Sequence, residues 1–228
     1  MKYKLLTGEY SQITGTKGLP VKVFKIYALK TFEVVIKGSE RNGYVDRKII
    51  VKEGEIGGFV QSEANLPQDD NSWVFNTAHV FENAVLHDSV VLEGAKVCDN
   101  ATVTNSTVAG RARVFGSSIV RDSFVGDNVD VSGFSVVNSS YLHNAARVNG
   151  KSTVTNSKMF HGSRVNKESI IDNCVLKDQA EVTQNAQCTN CEYSGQMFIK
   201  GGVHLNETLT HEIKLDVISV ADPNRKDF

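Results

Sequence analysis

The stretch Val154-Thr-Asn156-Ser157-Lys-Met159 decides the fold, because its form, apolar–x–Asn/Asp–small–x–apolar, keeps returning along the chain. Copies begin at Leu86, Val103, Ile119, Val136, Val154, Ile171 and Cys188, at intervals of 17, 16, 17, 18, 17 and 17 residues. The copy at Ile119 is degenerate, with Arg121-Asp122 in place of Asn-Ser, and a partial earlier copy is Asn71-Ser72-Trp73-Val74. Between copies, small–x–aliphatic triplets recur at about six-residue steps, as in Ala78-x-Val80, Ala95-x-Val97, Ala112-x-Val114, Ala146-x-Val148, Ser163-x-Val165 and Ala180-x-Val182. A fixed period of this kind is the signature of a solenoid in which each repeat forms one coil. Three short sides of about five, six and six residues close the coil, and the aliphatic residue and the small one two before it face the same way, inward.

The implied fold is all-β: a left-handed parallel β-helix of about seven coils over residues 61–196. Steps of five or markedly longer coils, which other β-helices need, do not fit a period near 17. Asn105, Asn138, Asn156, Asn173 and Asn190 mark one edge, where a sharp corner asks for backbone that Asn tolerates better than most residues. Stacked amides there can hydrogen-bond from coil to coil, in a row that Arg121 interrupts. An open prism end exposes unpaired backbone groups, so both ends need closing. Residues 1–60 read as a small N-terminal β cap, with strand-like Val21–Thr31, Glu33–Lys37 and Lys48–Lys52 and a turn at Ser39–Gly43. Residues 197–228 read as a C-terminal cap and tail, with a strand over Glu212–Val220.

Composition agrees. The chain has 30 valines and 18 asparagines but three prolines in 228 residues, which suits many strands and many corners. Basic and acidic residues number 25 and 26, a net charge of −1, so a strongly basic nucleic-acid binder is disfavoured. No apolar run is long enough to span a membrane. Four cysteines without a secretion signal read as reduced thiols, pointing to a cytoplasmic setting.

The repeat sorts outward residues into columns. Beside Val80, Val97, Val114, Val131, Val148, Val165 and Val182 stand His79, Lys96, Arg113, Asp130, Arg147, Arg164 and Glu181. Lys96, Arg113, Arg147 and Arg164 make this column a candidate site for a phosphate or nucleotide-like anion. A second face carries Trp73, Phe75, Val90, Leu92, Val125, Leu142 and Phe160 near outward positions. So much apolar surface implies an interface, and a homo-oligomer, dimer or trimer, is the expected use. At Phe124-Val125 and Tyr141-Leu142 either neighbour could be the inward one. The third face is small and β-branched, with Thr102, Thr104, Ser118, Val120, Ser135, Val137, Thr153, Thr155 and Thr189, which reads as plain β-propensity.

No pattern assigns catalytic residues, a metal or a cofactor. His143 and His161 sit in adjacent coils without a third ligand at useful spacing and read as surface histidines. Cys188-x-x-Cys191 resembles a redox or zinc pair, yet Cys174 and Cys191 fill the small inward slot held elsewhere by Ser106, Ser139 and Ser157, so core packing is the reading. There is no glycine-rich phosphate loop and no nucleophile elbow.

Tyr27-Ala28-Leu29-Lys30-Thr31-Phe32, then Gly57-Gly58-Phe59-Val60-Gln61-Ser62-Glu63-Ala64-Asn65-Leu66, then Ser72-Trp73-Val74 resemble the YdcK-type hexapeptide-repeat proteins of enterobacteria, phages and prophages. The distinctive part covers about residues 21–80 and the coils extend it to about residue 195, with Lys37–Glu55 as an inserted hairpin. The resemblance implies a β-helix and carries over no catalytic residues. Its members are often labelled acyltransferases on fold grounds alone. The catalytic loop between coils and the glycine-rich C-terminal signature of coenzyme A-dependent acyltransferases have no counterpart here. In the shared block, Gly57-Gly58 is expected to turn the chain from cap to prism, Phe59 and Leu66 to plug the open end, and Trp73 to anchor the first coil. The expected function is therefore non-enzymatic binding, of a host protein or a small anionic ligand, by a phage- or prophage-encoded protein. An acyltransferase using acyl-coenzyme A, with His143 or His161 as base, is the alternative.

Overall fold

The computed structural model describes residues 1–8, 10–38 and 45–210, and the backbone of Asp216–Ile218. It is a parallel β-solenoid of about nine turns, and its described residues form strands, corners and a single 3-10 turn at Glu63–Asn65. Strand pairing fixes the three faces. The first face runs through Val80, Val97, Val114, Val131, Val148, Val165, Val182 and Ile199. The second runs through Val74, Val91, Val108, Val125, Leu142, Met159, Leu176, Tyr193 and Leu209. The third runs through Leu86, Val103, Val120, Val137, Val154, Ile171, Cys188 and His204. These inward residues are almost all buried and fill one continuous core.

The third-face register corrects the repeat. Val103 pairs with Val120, Val120 with Val137, and Val137 with Val154, so the step is a constant 17 residues from Leu86 to Cys188. The copies assigned to Ile119 and Val136 start one residue later, and the irregular intervals disappear. Val120 and Val137 accordingly face inward, as do Ser118 and Ser135, and all four leave the outer surface. Coiling also continues past residue 196: Phe198–Lys200, Val203–Leu205 and Thr208–Leu209 extend the three faces, which accounts for the turns beyond the expected seven. Of the strand expected over Glu212–Val220, Asp216–Ile218 pairs with Phe198–Lys200, and the remainder lies outside the described residues, as does the turn at Ser39–Gly43.

Each corner holds a residue with positive φ, and all three edges keep the coil period. One edge carries Asp88, Asn105, Asp122, Ser139, Asn156, Asn173, Asn190 and Asn206. Short polar side chains tolerate this backbone because they can bond locally. The amide row exists: Asn105 Nδ2 donates to Asp122 at 2.5 Å, Asn173 to Asn190 at 2.8 Å and Asn190 to Asn206 at 3.0 Å. Asp122 takes the corner and accepts from Asn105, Ser139, not Asn138, holds the next corner, and Asn156 donates to Asp172 at 3.0 Å, so among the described residues the row runs in two pieces. On another edge Gly116, Gly133 and Gly150 stack, and a Cβ on Gly133 would lie 2.6 Å from the Gly150 carbonyl oxygen.

A second ladder runs inside. Ser72, Ser89, Ser106, Ser123, Ser140 and Ser157 point into the core, and each Oγ accepts the amide N–H of the residue one coil on at 3.0–3.1 Å. From Ser89 on, each hydroxyl donates to the carbonyl two residues before it. Cys174 and Cys191 occupy the same slot, with Ser140 in the place expected for Ser139, and the Cys191 N–H reaches the Cys174 Sγ at 3.4 Å. The thiols are core atoms: burial pushes Cys174 up to about 11 and raises Cys188 further.

Among the described residues, six cap strands close the N-terminal end. β1 (Tyr3–Leu5) and β2 (Ser11–Thr14) both pair antiparallel with β3 (Pro20–Ala28), β4 (Phe32–Ile36) pairs with β5 (Arg47–Val51), and β6 (Ile56–Val60) links β3 to the first coil at His79–Val80. β3, β4 and β5 match the strands expected from the sequence. Gly57 and Gly58 lie within β6 and make no turn. Cβ atoms there would come within 2.6–2.8 Å of Val74, Ala78, Ile26 and Trp73, so the pair permits the cap to lie directly on the first coil. Val60 and Leu66 plug the prism, whereas Phe59 faces outward and stacks on His79 at 4.8 Å. Asn65 caps exposed backbone: its Nδ2 donates to the Glu82 and Ala84 carbonyls at 3.0 and 2.8 Å.

Candidate anion site on the first face

Strand register places His79, Lys96, Arg113, Asp130, Arg147, Arg164 and Glu181 in one outward column, each on the next coil, with Phe59 before and Phe198 after. Neighbouring members are about 4.8 Å apart at the backbone. The column does not act as one basic strip. Arg113 holds Asp130 through two bonds, Nε to Oδ1 at 2.7 Å and Nη2 to Oδ2 at 2.8 Å. Arg164 faces Glu181 at 3.6 Å. Burial, then the neighbouring Lys96, push the His79 imidazole below its usual value, which disfavours a charge there. The β2–β3 arm covers the adjoining column of the first coils, burying Phe81 and Cys98 under Val21, Val23 and Ile13.

Arg147, like Lys96, lacks such a carboxylate partner among the described residues. It is exposed, has no ion pair among the described residues, and sits in register beside Arg164. Like charges directly opposite across strands repel, while Arg113 is matched by Asp130 and Arg164 faces Glu181. Asn149 and Asn166 stand two residues on and so point to the same side. Asn166 is engaged, donating to Glu181 at 2.9 Å, while Asn149 is exposed. Two adjacent guanidinium groups with an amide alongside can chelate a phosphate through parallel N–H donors. Of the four basic residues expected to act together, the structure therefore groups Arg147 with Arg164, commits Arg113 to Asp130, and leaves Lys96 three coils from Arg147 across that pair. Asn149 was not marked by sequence, although its place two residues after an outward arginine was readable.

The apolar residues expected at an oligomer interface have another use. Trp73 is wholly buried, edge-on to Tyr3 and Phe32 with ring centroids 6.3 and 5.3 Å away. Val125 and Leu142 are the inward members of their pairs. Phe75 and Leu92 pack against the core, and Phe160 is buried with its ring 5.6 Å from Tyr141. The β4–β5 hairpin provides Phe32, Val34, Ile36, Ile49 and Val51 to this side of the core. The apolar face is thus closed largely within the chain.

Where the hairpin meets the second face it leaves a cleft of about 280 Å³ lined by Lys37, Arg47, Thr107, Phe124, Asp127 and His143. His143 is buried rather than superficial, with Nε2 2.8 Å from Asp127. Its Nδ1 is also buried and has no partner. A general base needs one nitrogen held and the other open to substrate, and here the second nitrogen is sealed. His161 has the opposite arrangement, with Nδ1 3.3 Å from Asp178 on a side chain 56% exposed. Among the described residues no group of His, Cys, Asp or Glu is placed to hold a metal ion, and no helix is long and apolar enough to cross a membrane.

Residues 116–198 match a family model described as GlmU-like, C-terminal hexapeptide. That match and the coil geometry together support a hexapeptide-repeat β-helix protein. The chain has no match among curated proteins.

Proposed function

We propose that this is a non-enzymatic binding protein that takes a small phosphate-bearing anion, such as a nucleotide, between Arg147 and Arg164. The observation that supports it is the unmatched Arg147 lying in register with Arg164, the one place in the described column where two arginines stand on adjacent coils. The resemblance of the cap and coil sequence to YdcK-type proteins supports reading it as a phage- or prophage-encoded protein that acts in the bacterial cytoplasm. ATP is a suitable probe. Calorimetry is expected to show 1:1 binding that falls at least about 100-fold in Arg147→Glu, since the change removes a charge-assisted guanidinium–phosphate contact and sets a like charge against the anion. Binding that Arg147→Glu leaves unchanged, or no heat at millimolar ATP, removes the site.

The second reading is an acyltransferase using acyl-coenzyme A. It is favoured by the hexapeptide match and by His161, which Asp178 orients while its other nitrogen stays free. Acetyl-coenzyme A at 100 times its dissociation constant adds about 2.7 kcal/mol of stability. A thermal shift with acetyl-coenzyme A that ATP does not reproduce, abolished acyl transfer in His161→Ala accompanying it, would put this reading first.

A further inference from the structure

We infer that the third face is a self-complementary surface on which a second copy of this chain docks antiparallel. This face is the most regular of the three, with eight parallel three-residue strands. The cap strands cover the first coils of the other two faces and, among the described residues, leave this one open. Its outward side has two columns. One is Val85, Thr102, Ile119, Val136, Thr153, Ile170, Gln187 and Val203, and the other His87, Thr104, Arg121, Asn138, Thr155, Asp172, Thr189 and Leu205. Ile170, Val203 and Leu205 are 42%, 58% and 58% exposed. Stiff β-branched side chains on a flat sheet form a surface that loses little entropy when covered.

The two charges decide the occupant and its orientation. Among the described residues Arg121 is exposed without an ion pair, and the Asp172 carboxylate accepts only an amide N–H from Asn156, at 3.0 Å. They stand three coils apart, about 14 Å, out of reach of each other within one chain. A two-fold axis along the strand direction, passing between the coils of Val137 and Val154, reverses the coil order and keeps each column over itself. Arg121 then meets Asp172 of the second copy, twice. Ile119 meets Ile170, Val136 meets Thr153, Val85 meets Val203 and Thr104 meets Thr189. A two-fold axis along the prism instead sets Arg121 over Ile119 and Asp172 over Ile170, leaving both charges covered and unpaired, which is strongly unfavourable. Moving the antiparallel register by one coil also breaks both pairs. A face about 40 Å by 12 Å buries roughly 1,000 Å² in total, enough for a specific contact. The anion site lies on another face and stays open in this arrangement.

Sedimentation equilibrium at 1–100 μM (about this range suits such an interface) is expected to give twice the 25.0 kDa chain mass. Arg121→Asp and Asp172→Arg each place like charges together and should weaken the dimer at least about 100-fold. The double variant restores both pairs and should return to within about tenfold of the original affinity. Both side chains are outward, and circular dichroism with thermal melting checks that each variant stays folded. A monomer or trimer at 100 μM (about the top of that range), a dimer that neither single variant weakens, or no rescue by the double variant would each overturn the assignment.

Discussion

At the residue scale, every coil depends on which member of an apolar doublet turns inward. The small–x–aliphatic triplets on the first face were legible because a charged residue separates the two inward positions: Ala146-Arg147-Val148 admits one reading. Ile119-Val120 and Val136-Val137 admit two, since both members are aliphatic and a prism accepts either, and there the reading slipped by one residue. Hydrogen-bond register, a property of neighbouring coils, settles it. Val148 tests the register directly. It is wholly buried between Val131 and Val165. Val148→Asp puts an unpaired charge in a core with no water to solvate it, and a loss of more than about 3 kcal/mol is expected. Chemical denaturation measures it. A soluble variant with unchanged midpoint would mean that Val148 does not face the core.

At the element scale, the β4–β5 hairpin changes the meaning of a surface. The sequence showed an apolar stripe containing Trp73, Phe75 and Leu92, and a stripe on a solvated face calls for a partner. It also showed Lys37–Glu55 as an insertion. Nothing local joins the two, because the docking of a hairpin onto residues about forty positions away is a long-range event that periodicity does not encode. The candidate anion site was more legible for the converse reason: the coil period alone brings Arg147 beside Arg164. What the period cannot supply is the side-chain geometry that commits Arg113 to Asp130. The hairpin's role can be read from Trp73, the sole tryptophan of the chain. Val34 is wholly buried within the shared core. Val34→Asp should release the hairpin at a cost of about 2–4 kcal/mol. Trp73 emission should move to the red and become accessible to iodide, while the β-sheet circular dichroism of the coils persists. Unshifted emission in a folded variant would mean that the hairpin does not shield this ring.

On the scale of the whole molecule, the solenoid is a stack whose stability passes from coil to coil, so its end determines how easily it frays. The N-terminus is fastened to the start of the prism by a buried clasp. Lys2 Nζ donates to the Asp70 and Ser72 carbonyl oxygens at 2.9 and 3.0 Å and to Asp70 Oδ1 at 3.1 Å. Tyr3 donates its hydroxyl to the Leu66 carbonyl at 2.6 Å. Burial alone would raise the Asp70 carboxyl, but the Ser72 and Asp88 amide N–H groups and the Lys2 ammonium outweigh it and hold it below the usual carboxylate range. A carboxyl whose pKa is depressed on folding contributes stability that is fully present above its unfolded value, here 3.8, and is lost as pH falls from there through the lowered folded value. Lys2 does not alter this window. Burial lowers its ammonium from 10.5 against the pull of Asp70, yet in acid it is protonated in both folded and unfolded chains, so its contribution is constant there. Asp70→Asn should therefore cost about 3 kcal/mol at pH 7, because the Lys2 charge is left buried without its counter-ion. As the pH is lowered past the unfolded carboxyl value, the gap between variant and natural protein should narrow, since protonation removes the same charge from both. Thermal melting at steps between neutral pH and about pH 2.5 measures the gap. A gap that stays constant through the acid range would show that the clasp acts through shape and not through the Asp70 charge.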